Sequence, residues 1–478
     1  MIKIKIDEET FKYDIYNIFK LFFKRIEFVA NENYDYNIFA SQNNLKIIDK
    51  DAEKICDFDE QLTIKENIKK ALYNYLSNKT GLTIPWGTLV GIRPTKIAIK
   101  LINQGKTEEE IVEYFKYHSL TRHDKARICT KVAKAESSII NTRTDNISVY
   151  IGMPFCPTRC LYCSFISDTI DNCKDIVEDY LLALNYEIQA ISQYVRDKKL
   201  NIECVYFGGG TPTSINDQQF ENIMNKIYNG FVKGNNVKEF TVECGRPDSI
   251  TAEKLYTLKK YGVQRISINP QTMNDSTLKL IGRGHNSEDV IEKFNLARKM
   301  GFNNINVDLI VGLPGEGLNE VNCTCSEILK LAPDNLTVHG LSLKRGSKLH
   351  QNIINNIHMK IAPQDELIEM YEATSKLADD LSLKPYYMYR QKNTVGNGNL
   401  ENVGYSKVSQ ECIYNIEMIE ERQTIIALGA NAVSKIIFLE ENRLERFPNH
   451  KDVREYIKRI EEKVQKKIKF LDELYGNK

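Results

Sequence analysis

The chain has almost no net charge and no long apolar segment. Its 65 Lys and Arg residues nearly balance 64 Asp and Glu residues, for a formal net charge of +1. Because positive and negative charges are nearly equal in number, the chain provides no electrostatic field for holding nucleic acid or an anionic membrane surface. No apolar run approaches the ~20 residues needed to cross a bilayer. We therefore expect no nucleic-acid partner and no membrane insertion.

A secretory leader and a disulfide framework are also missing from the pattern. The first residues, MIKIKIDEET, are charged and contain no apolar core, so we expect no signal peptide. Eleven cysteines, an odd number, in a chain of 478 residues indicate reduced thiols and a cytoplasmic location. This length predicts two or three domains.

Three of the cysteines lie close together. Residues 156–165 read Cys-Pro-Thr-Arg-Cys-Leu-Tyr-Cys-Ser-Phe, with the spacing C-x3-C-x2-C. One short loop can turn three sulfurs toward one point, and thiolates suit soft metals and iron–sulfur clusters. A cluster ligated only by protein uses four cysteines. Three would leave one iron open to a small molecule.

Two simpler explanations compete with a cluster. A structural zinc site needs four ligands, commonly as paired C-x2-C modules. No second C-x2-C or H-x3-H pair occurs, and Cys323 and Cys325 have the wrong spacing. The three thiols could also be small buried residues. The motifs farther along the chain favour the cluster.

Strands and helices alternate from residue 147 onward. Six β-rich runs are each followed by a helical segment, which implies parallel βαβ units and a partial (β/α)6 barrel within an α/β fold. In such barrels the reactive residues lie at the carboxyl ends of the strands. The predicted strands are 148–153, 202–207, 238–243, 263–268, 304–310 and 335–341, and the predicted helices are 175–197, 216–229, 251–261, 287–300, 318–331 and 363–381.

The segments on either side of the barrel differ from it in composition. Residues 1–145 are Lys-rich and begin with an alternating strand pattern, IKIKI, which predicts an accessory α/β domain. The barrel domain is expected to span 146–384. Residues 385–478 should form a C-terminal domain that covers the substrate. It includes a helix followed by a Gly-rich turn and ends in a charged amphipathic helix. Helices of the first domain are predicted near 64–78, 93–104, 107–117 and 122–140.

A glycine-rich segment follows the second barrel strand. GGGTPT at 208–213 comes directly after the apolar run VYF. Three glycines let the backbone approach a ligand closely and expose its N–H groups. No Lys-Ser or Lys-Thr follows, so the segment is not a Walker A loop. A plain turn is the alternative.

Together these motifs resemble a known family. The cysteine spacing, with Tyr162 before the last cysteine, resembles the radical S-adenosylmethionine (SAM) signature, in which the open iron chelates the amino and carboxylate groups of SAM. With GGGTPT and with VDLIVGLPGE at 307–316, the chain resembles the HemN-like oxygen-independent coproporphyrinogen III oxidases from about 147 to 440. The segments WGTLVGIRPTK, VECGRPDSI and YYMYRQKNTVGN resemble the HemZ branch of that group.

The resemblance implies a role for each matching residue. Cys156, Cys160 and Cys163 would hold a 4Fe-4S cluster. Glu243 and Arg283 would meet the amino and carboxylate ends of SAM and, with Tyr150, serve catalysis. The residues implied in SAM binding are Tyr150, Gly209, Gly210, Thr211, Glu243, Gln271, Arg283 and Asp308, with Ile310 and Ser342 at positions that line a second SAM site in the family.

The polar residues of this set also have ordinary explanations. Glu243 could be a solvated residue at a strand end, Asp308 could cap a turn, and Arg283 could form a surface ion pair worth little. The spacing from Gln271 through Arg283 to Asp308 matches the family without gaps. This match favours the functional roles.

The sequence departs from the family pattern at two places. Phe165 stands where HemN-type enzymes carry a further cysteine, one that is not a cluster ligand. Cys244-Gly245-Arg246 replaces the usual small-residue and Asp-Pro context after Glu243. A thiol there could react with radicals, although a small buried residue is the simpler explanation.

The activity implied by the resemblance is decarboxylation of two propionates of coproporphyrinogen III, giving protoporphyrinogen IX for haem biosynthesis. The reaction would need an electron donor such as flavodoxin or ferredoxin. We expect the protein to be a monomer. Four carboxylates around an apolar macrocycle need cations beside an aromatic surface. The candidates are Tyr387, Tyr389, Arg390 and Lys392, and an exposed strand with a basic rim is the alternative.

Three other functions compete with this one. The first is a radical SAM methyltransferase that acts on haem. The second is a HemW-like haem chaperone. That group resembles this chain in lacking the extra cysteine, but it differs in lacking the long N-terminal extension. The third, an electron carrier or structural cluster protein, does not explain Glu243, Gln271, Arg283 and Asp308.

Overall fold

In the computed structural model the chain forms two compact units. One comprises residues 1–137 and 388–402, and the other comprises 138–387 and 403–478. No helix within the described residues is long and apolar enough to cross a membrane. The structure describes residues 1–30, 33–90, 93–164, 168–355, 357, 359–390, 394–395 and 401–476.

The first unit packs helices on a five-stranded sheet, whose strands lie in the order Ile26–Phe28, Ile2–Ile6, Tyr36–Ala40, Asn44–Asp49 and Glu53–Asp57. Phe19 and Leu72, on two of the helices, are buried in one core with the strand residues Ile4, Ile38 and Ile47. The predicted first strand and four helices are confirmed; the other four strands and the first helix were not predicted. The strands are β1 Ile2–Ile6, β2 Ile26–Phe28, β3 Tyr36–Ala40, β4 Asn44–Asp49 and β5 Glu53–Asp57, and the helices are α1 Lys12–Phe22, α2 Ile64–Thr80, α3 Pro94–Asn103, α4 Glu108–Ser119 and α5 His123–Ile139.

A second, mixed sheet has eleven strands among the described residues. Its strands and a separate two-stranded pair are β6 Asn146–Met153, β7 Phe155–Cys156, β8 Asp168–Thr169, β9 Asn201–Gly209, β10 Glu239–Glu243, β11 Arg265–Ser267, β12 Ile305–Val311, β13 Asn335–Gly340, β14 Lys384–Arg390, β15 Glu401–Ser406, β16 Thr424–Leu428, β17 Val433–Phe438 and β18 Arg443–Pro448. The helices are α6 Val177–Asp197, α7 Asp217–Ile227, α8 Ala252–Lys260, α9 Asp275–Leu280, α10 Ser287–Lys299, α11 Leu318–Leu331, α12 Lys348–Ile354, α13 Gln364–Asp380, α14 Ile413–Glu420, α15 Val453–Lys458 and α16 Ile460–Tyr475.

The six strands predicted for the barrel are adjacent and parallel. They run β6-β9-β10-β11-β12-β13 in chain order, which places their carboxyl ends at one edge of the sheet. Each predicted helix after these strands is present. The α/β fold class is therefore confirmed, and the order is the one that a partial (β/α)6 barrel requires.

The segment after residue 402 adds strands to this same sheet. β16 pairs in parallel with β6, and β15 pairs antiparallel with β13. The sequence predicted a Gly-rich turn directly after α14, but the apolar run TIIAL between them is a fully buried strand. The predicted final helix is two helices, because Arg459 leaves helical geometry with φ −119° and ψ 23°. The domain boundaries at 145 and 384 stay a prediction.

A buried polar network attaches the last helix to the sheet. Glu187 on α6 and Lys467 on α16 are both fully buried, with 2.5 Å between Oε1 and Nζ. The Glu187 carboxylate also accepts hydrogen bonds from the Tyr456 hydroxyl at 2.6 Å and the Gly429 N–H at 2.8 Å. Every charged group here has a partner, as burial of a charge requires.

A second buried carboxyl, Glu417 on α14, lies beside the segment that leads into β6. The Asn141 N–H donates to its Oε1 at 2.5 Å. Burial raises the pKa of Glu417 to about 8; the Asn141 hydrogen bond opposes this rise, and the carboxylate of Glu203 adds to it. The carboxyl is therefore neutral in the folded protein at mildly acidic pH.

We expect Glu417 to make the protein less stable at alkaline pH. The pKa of Glu417 in the folded protein lies above the ~4.3 of an unfolded Glu. Its contribution to the free energy of unfolding is therefore complete below pH ~4.3 and is lost as the pH rises through about 8. Glu417→Gln should remove ~1–3 kcal/mol of this loss between pH 5 and 9, measured by urea unfolding. The exposed Glu440→Gln is the control. Parallel pH profiles for wild type and Glu417→Gln would contradict the expectation.

Candidate cofactor site

The cysteine loop follows β6 and is held by neighbouring segments. Cys156 ends β7, Cys160 and Cys163 lie in the turn after it, and all three are half-buried. The Leu161 N–H donates to the Ile281 carbonyl at 2.8 Å, which ties the loop to the end of α9. The fold thus keeps the three thiols near the carboxyl ends of the parallel strands.

The glycine segment packs directly against this loop. The Gly210 N–H donates to the Met153 carbonyl at 2.6 Å, and the Thr211 N–H donates to the Phe155 carbonyl at 2.8 Å. The Thr211 hydroxyl donates to Cys156 Sγ at 3.6 Å. A Cβ at Gly210 would lie 2.5 Å from the Phe155 carbonyl oxygen and 3.0 Å from Cys156 Sγ. Glycine is therefore required for this close approach.

Glu243 lies at the end of β10 and joins the glycine segment to a stack of tyrosines. Its carboxylate accepts hydrogen bonds from the Gly209 N–H, at 3.2 Å, and from the Tyr206 hydroxyl. The ring of Tyr206 stacks on Tyr414, with centroids 4.3 Å apart, and on Tyr150, at 6.1 Å. Burial raises the pKa of Glu243, and the two donors partly oppose the rise. Burial also raises the pKa of Tyr150.

Gln271 and Asp308 lie side by side, because Asp308 is inside β12 and Gln271 forms an isolated bridge with the next residue of that strand, Leu309. Gln271 has φ +70°, an uncommon value for a residue with a side chain, and bridges β12 through its N–H to the Asp308 carbonyl at 3.0 Å. Gln271 is 8% exposed, and its Oε1 makes no hydrogen bond within the described part of the chain. Burial alone would raise the pKa of Asp308, but His339 and Asn306 lower it below its usual value.

Arg283 follows α9 and lies near the cysteine loop. Its charge interacts with Tyr162 and Cys160, and the Tyr162 hydroxyl is hydrogen-bonded to it. Its Nε is buried and makes no hydrogen bond to any described residue. Burial raises the pKa of Tyr162, and the Arg283 charge opposes that rise. Arg283 thus places a cation beside the thiols.

The two residues predicted at a second SAM site lie on adjacent strands. Ile310 lies within β12, opposite His339 of β13, and is 8% exposed. Ser342 lies just beyond β13 and is 9% exposed. Both are therefore close to the same sheet edge as Asp308.

The residues at this edge fit an iron–sulfur cluster and SAM. Three half-buried thiols lie on one loop, and the buried Gln271 Oε1 and Arg283 Nε have hydrogen-bonding capacity left over. In the described residues no group of three His, Cys, Asp or Glu side chains is arranged around a single metal ion. A 4Fe-4S cluster instead takes its thiolates at different irons. The donor set suits that larger group.

Two nearby residues have positions that the sequence did not reveal. Arg246 is 3% exposed, and its guanidinium reaches the cysteine loop. Its only sequence signal was the departure Cys-Gly-Arg. Cys244 in that motif is fully buried, and burial raises its pKa to about 12. It is therefore the small buried residue of the simpler explanation.

The structure describes three of the four predicted substrate residues, all on β14. Tyr387 is 6% exposed and belongs to the second unit, whereas Tyr389 and Arg390 belong to the first. Arg390 donates to the Leu89 carbonyl at 2.7 Å and lies 5.2 Å from the ring centroid of Trp86. Burial lowers the pKa of Arg390 to about 10. The fourth candidate, Lys392, lies outside the described residues, as does Phe165.

Comparison with known proteins defines the class first. A family model described as the Radical SAM superfamily matches residues 150–327, which include the cysteine loop and Asp308. The solved structure of HemN, the coproporphyrinogen III oxidase of Escherichia coli, aligns with a TM-score of 0.51 and 20% identity, over 69% of this chain and 72% of that one. The chain is a radical SAM protein, and its cofactors are a 4Fe-4S cluster and SAM.

The curated relatives then define the family. The oxygen-independent coproporphyrinogen-III oxidase-like protein HemZ of Bacillus subtilis is 41% identical over 415 residues, covering 86% of this chain and 82% of that protein. The heme chaperone HemW of the same bacterium is 35% identical over 225 residues, covering 47% of this chain and 58% of that protein. The chain belongs to the HemZ family, and the predicted family and cofactors are confirmed.

Proposed function

We propose that this protein catalyses the oxygen-independent conversion of coproporphyrinogen III to protoporphyrinogen IX. The observation that carries the proposal is the proximity of Glu243, at the end of β10, to Asp308 on β12 and to Gln271 beside it. Glu243 is linked to the cysteine loop through the glycine segment. An electron-carrier or structural cluster would not need these polar residues. The similarity to HemZ over most of the chain supports the substrate.

Each residue has a task that its position supports. Cys156, Cys160 and Cys163 would hold the cluster, which together with SAM supplies hydrogen-atom abstraction from a substrate propionate. The Glu243 carboxylate would accept from the amino group of SAM and the Arg283 guanidinium would donate to its carboxylate.

The nucleoside part of SAM would lie against the neighbouring strands. The free Oε1 of Gln271 would accept a hydrogen bond from it, and Asp308 would accept from the ribose hydroxyls. Tyr150, Gly209, Gly210 and Thr211 would surround the cofactor, with Ile310 and Ser342 at a second SAM molecule.

An anaerobic product assay tests the proposal. The reconstituted, dithionite-reduced protein is incubated with SAM and coproporphyrinogen III, and the porphyrins are separated by chromatography after oxidation. We expect protoporphyrin, a three-propionate intermediate and 5′-deoxyadenosine. A methylated haem product would instead indicate the methyltransferase. Absence of decarboxylation, together with tight haem binding, would overturn the enzyme assignment.

A haem chaperone is the second candidate. The similarity to HemW, 35% identity over 225 residues and about half of this chain, favours it. Stoichiometric haem binding without 5′-deoxyadenosine formation would distinguish this function from the first.

The same chemistry suggests the electron donor, the kind of partner and the cellular location. A cluster that must be reduced needs an electron donor, and flavodoxin or ferredoxin fits that need. The even charge balance supports a small-molecule substrate over a nucleic-acid partner. We propose a monomer in the reducing cytoplasm.

We expect Asp308→Ala to weaken SAM binding. The change removes an acceptor whose low pKa keeps it charged, and leaves the SAM hydroxyls without a partner. The expected loss is ~1–3 kcal/mol, measured by anaerobic calorimetry on protein with an intact cluster. The exposed Asp197→Ala should bind SAM as wild type does. Unchanged affinity in Asp308→Ala would remove Asp308 from the proposed site.

The proposed substrate role of Arg390 predicts a difference between Lys and Ala. If Arg390 grips a propionate, Arg390→Lys should lose most turnover, because Lys cannot make the bidentate fork. Its contacts with Leu89 and Trp86 predict in addition that Arg390→Ala lowers the melting temperature. Normal turnover in a folded Arg390→Ala protein would leave Arg390 only the packing role.

A further inference from the structure

Arg246 lies between the end of β10 and the cysteine loop. Its Nη2 donates to the Thr158 hydroxyl at 2.8 Å, and its Nη1 donates to the Thr158 carbonyl at 3.3 Å. The same Nη1 lies 3.7 Å from Cys160 Sγ in a donating geometry. One guanidinium thus contacts both the backbone of the loop and one of its three sulfurs.

Asp248 fixes the plane of that guanidinium. The Arg246 Nε donates to Asp248 Oδ1 at 3.0 Å, and Nη2 donates to Oδ2 at 2.8 Å. This two-pronged pairing leaves Nη1 aimed at Cys160. Since Arg keeps its charge at every physiological pH, the donor is permanent.

The pairing with Asp248 accounts for the burial of the Arg246 charge, but the hydrogen bonds to Thr158 would not need that charge. Burying a guanidinium is costly unless it is well paired, and a neutral donor could bond the Thr158 carbonyl equally well. The charge matters, however, when Cys160 carries a cluster. Three thiolates make the site anionic, and reduction adds a further negative charge. Hydrogen bonds to the sulfurs and nearby net charge are the means by which proteins tune such clusters.

We propose that Arg246 raises the reduction potential of the 4Fe-4S cluster by donating an N–H···S bond to Cys160 and placing a fixed positive charge beside it. The proposal rests on the proposed role of Cys160 as a cluster ligand, and on no assumption about the substrate. It makes Arg246 a positioning residue that eases electron entry before SAM is cleaved.

Redox titration of the reconstituted protein, followed by the electron paramagnetic resonance signal of the reduced cluster, tests the proposal without substrate. At the potential that half-reduces wild type, Arg246→Gln should show about a tenfold lower ratio of reduced to oxidised cluster, or ~59 mV for one electron. Arg246→Lys keeps the charge but loses the fork, so about a threefold lower ratio is expected. Iron and sulfide content are measured on every variant.

A matched control exists in the same chain. Arg143 makes the same fork to Asp145, with Nε and Nη2 at 3.0 and 2.7 Å from the carboxylate oxygens, on an exposed surface. Arg143→Gln should leave the potential unchanged. Thr158→Val should also leave it unchanged, whereas a merely structural Arg246 would make both Thr158→Val and Arg246→Gln lose iron without a shift.

Two results would overturn the proposal. The first is an unchanged potential in a fully loaded Arg246→Gln protein. If that variant holds too little cluster to titrate, Arg246→Lys decides, and an unchanged potential there is equally decisive. Failure to decarboxylate coproporphyrinogen III would contradict the proposed function and leave these potentials as they stand.

Discussion

Simultaneous replacement of Cys156, Cys160 and Cys163 by Ala should abolish assembly of the iron–sulfur cluster. Thiolates are the protein ligands of such clusters, and these three lie on one loop beside the strand ends. After anaerobic reconstitution we expect iron and sulfide close to background and loss of the visible charge-transfer absorption. Reductive cleavage of SAM should disappear with the cluster.

The control for this experiment uses two other cysteines. Cys323 and Cys325 lie on α11, the first exposed and the second half-buried. Their joint replacement by Ala should leave iron and sulfide at the wild-type level. Undiminished iron and sulfide in the triple variant would show that the cluster ligands have been assigned to the wrong cysteines.

Lys467→Met should strongly destabilise the second unit. The change leaves the carboxylate of Glu187 fully buried without its cation, although Tyr456, Asn449 and Gly429 still donate to it. Removing one partner of a buried ion pair costs ~3–5 kcal/mol. Urea unfolding at neutral pH should show this loss in the transition of the sheet that α16 covers.

The neighbouring residue provides a control that differs mainly in burial. Lys466 pairs with Glu462 on the same helix, and their side chains are 61% and 44% exposed. Lys466→Met should change stability by only ~0–1 kcal/mol, because solvent screens an exposed pair. Equal effects of the two substitutions would show that the buried pair contributes no more to stability than the exposed pair.

The barrel strands could be predicted because their sequence pattern repeats. β9 and β12 contain apolar runs, VYF and LIV, and each strand is followed by an amphipathic helix, a pattern typical of parallel strands that helices cover. The predicted end of the third barrel strand at residue 243 agrees with the end of β10, which places Glu243 at the edge of the sheet. Asp308, the residue that fitted this rule least well, lies inside β12. Gln271 reaches the same place through a backbone with φ +70°.

Other elements carried too weak a local signal. The strand β16, with the sequence TIIAL, is too short to show a clear periodicity. Its partner in the sheet, β6, lies more than 270 residues earlier in the chain. Arg390 was predicted as a substrate residue beside tyrosines, and the structure adds contacts of its guanidinium with Leu89 and Trp86. In both cases the deciding partner is distant in sequence, and no local pattern encodes it.

The sequence by itself determined the cysteine loop, the order of the six parallel strands and the family, because ligand spacing and hydrophobic periodicity are local properties of the chain. Only the tertiary structure decided that Arg246 points at Cys160 and that Glu187 pairs with Lys467. Such contacts depend on which side chains the packed sheet and helices bring within about 4 Å. A charge has to be paired once it is buried, and burial is a property of the whole fold.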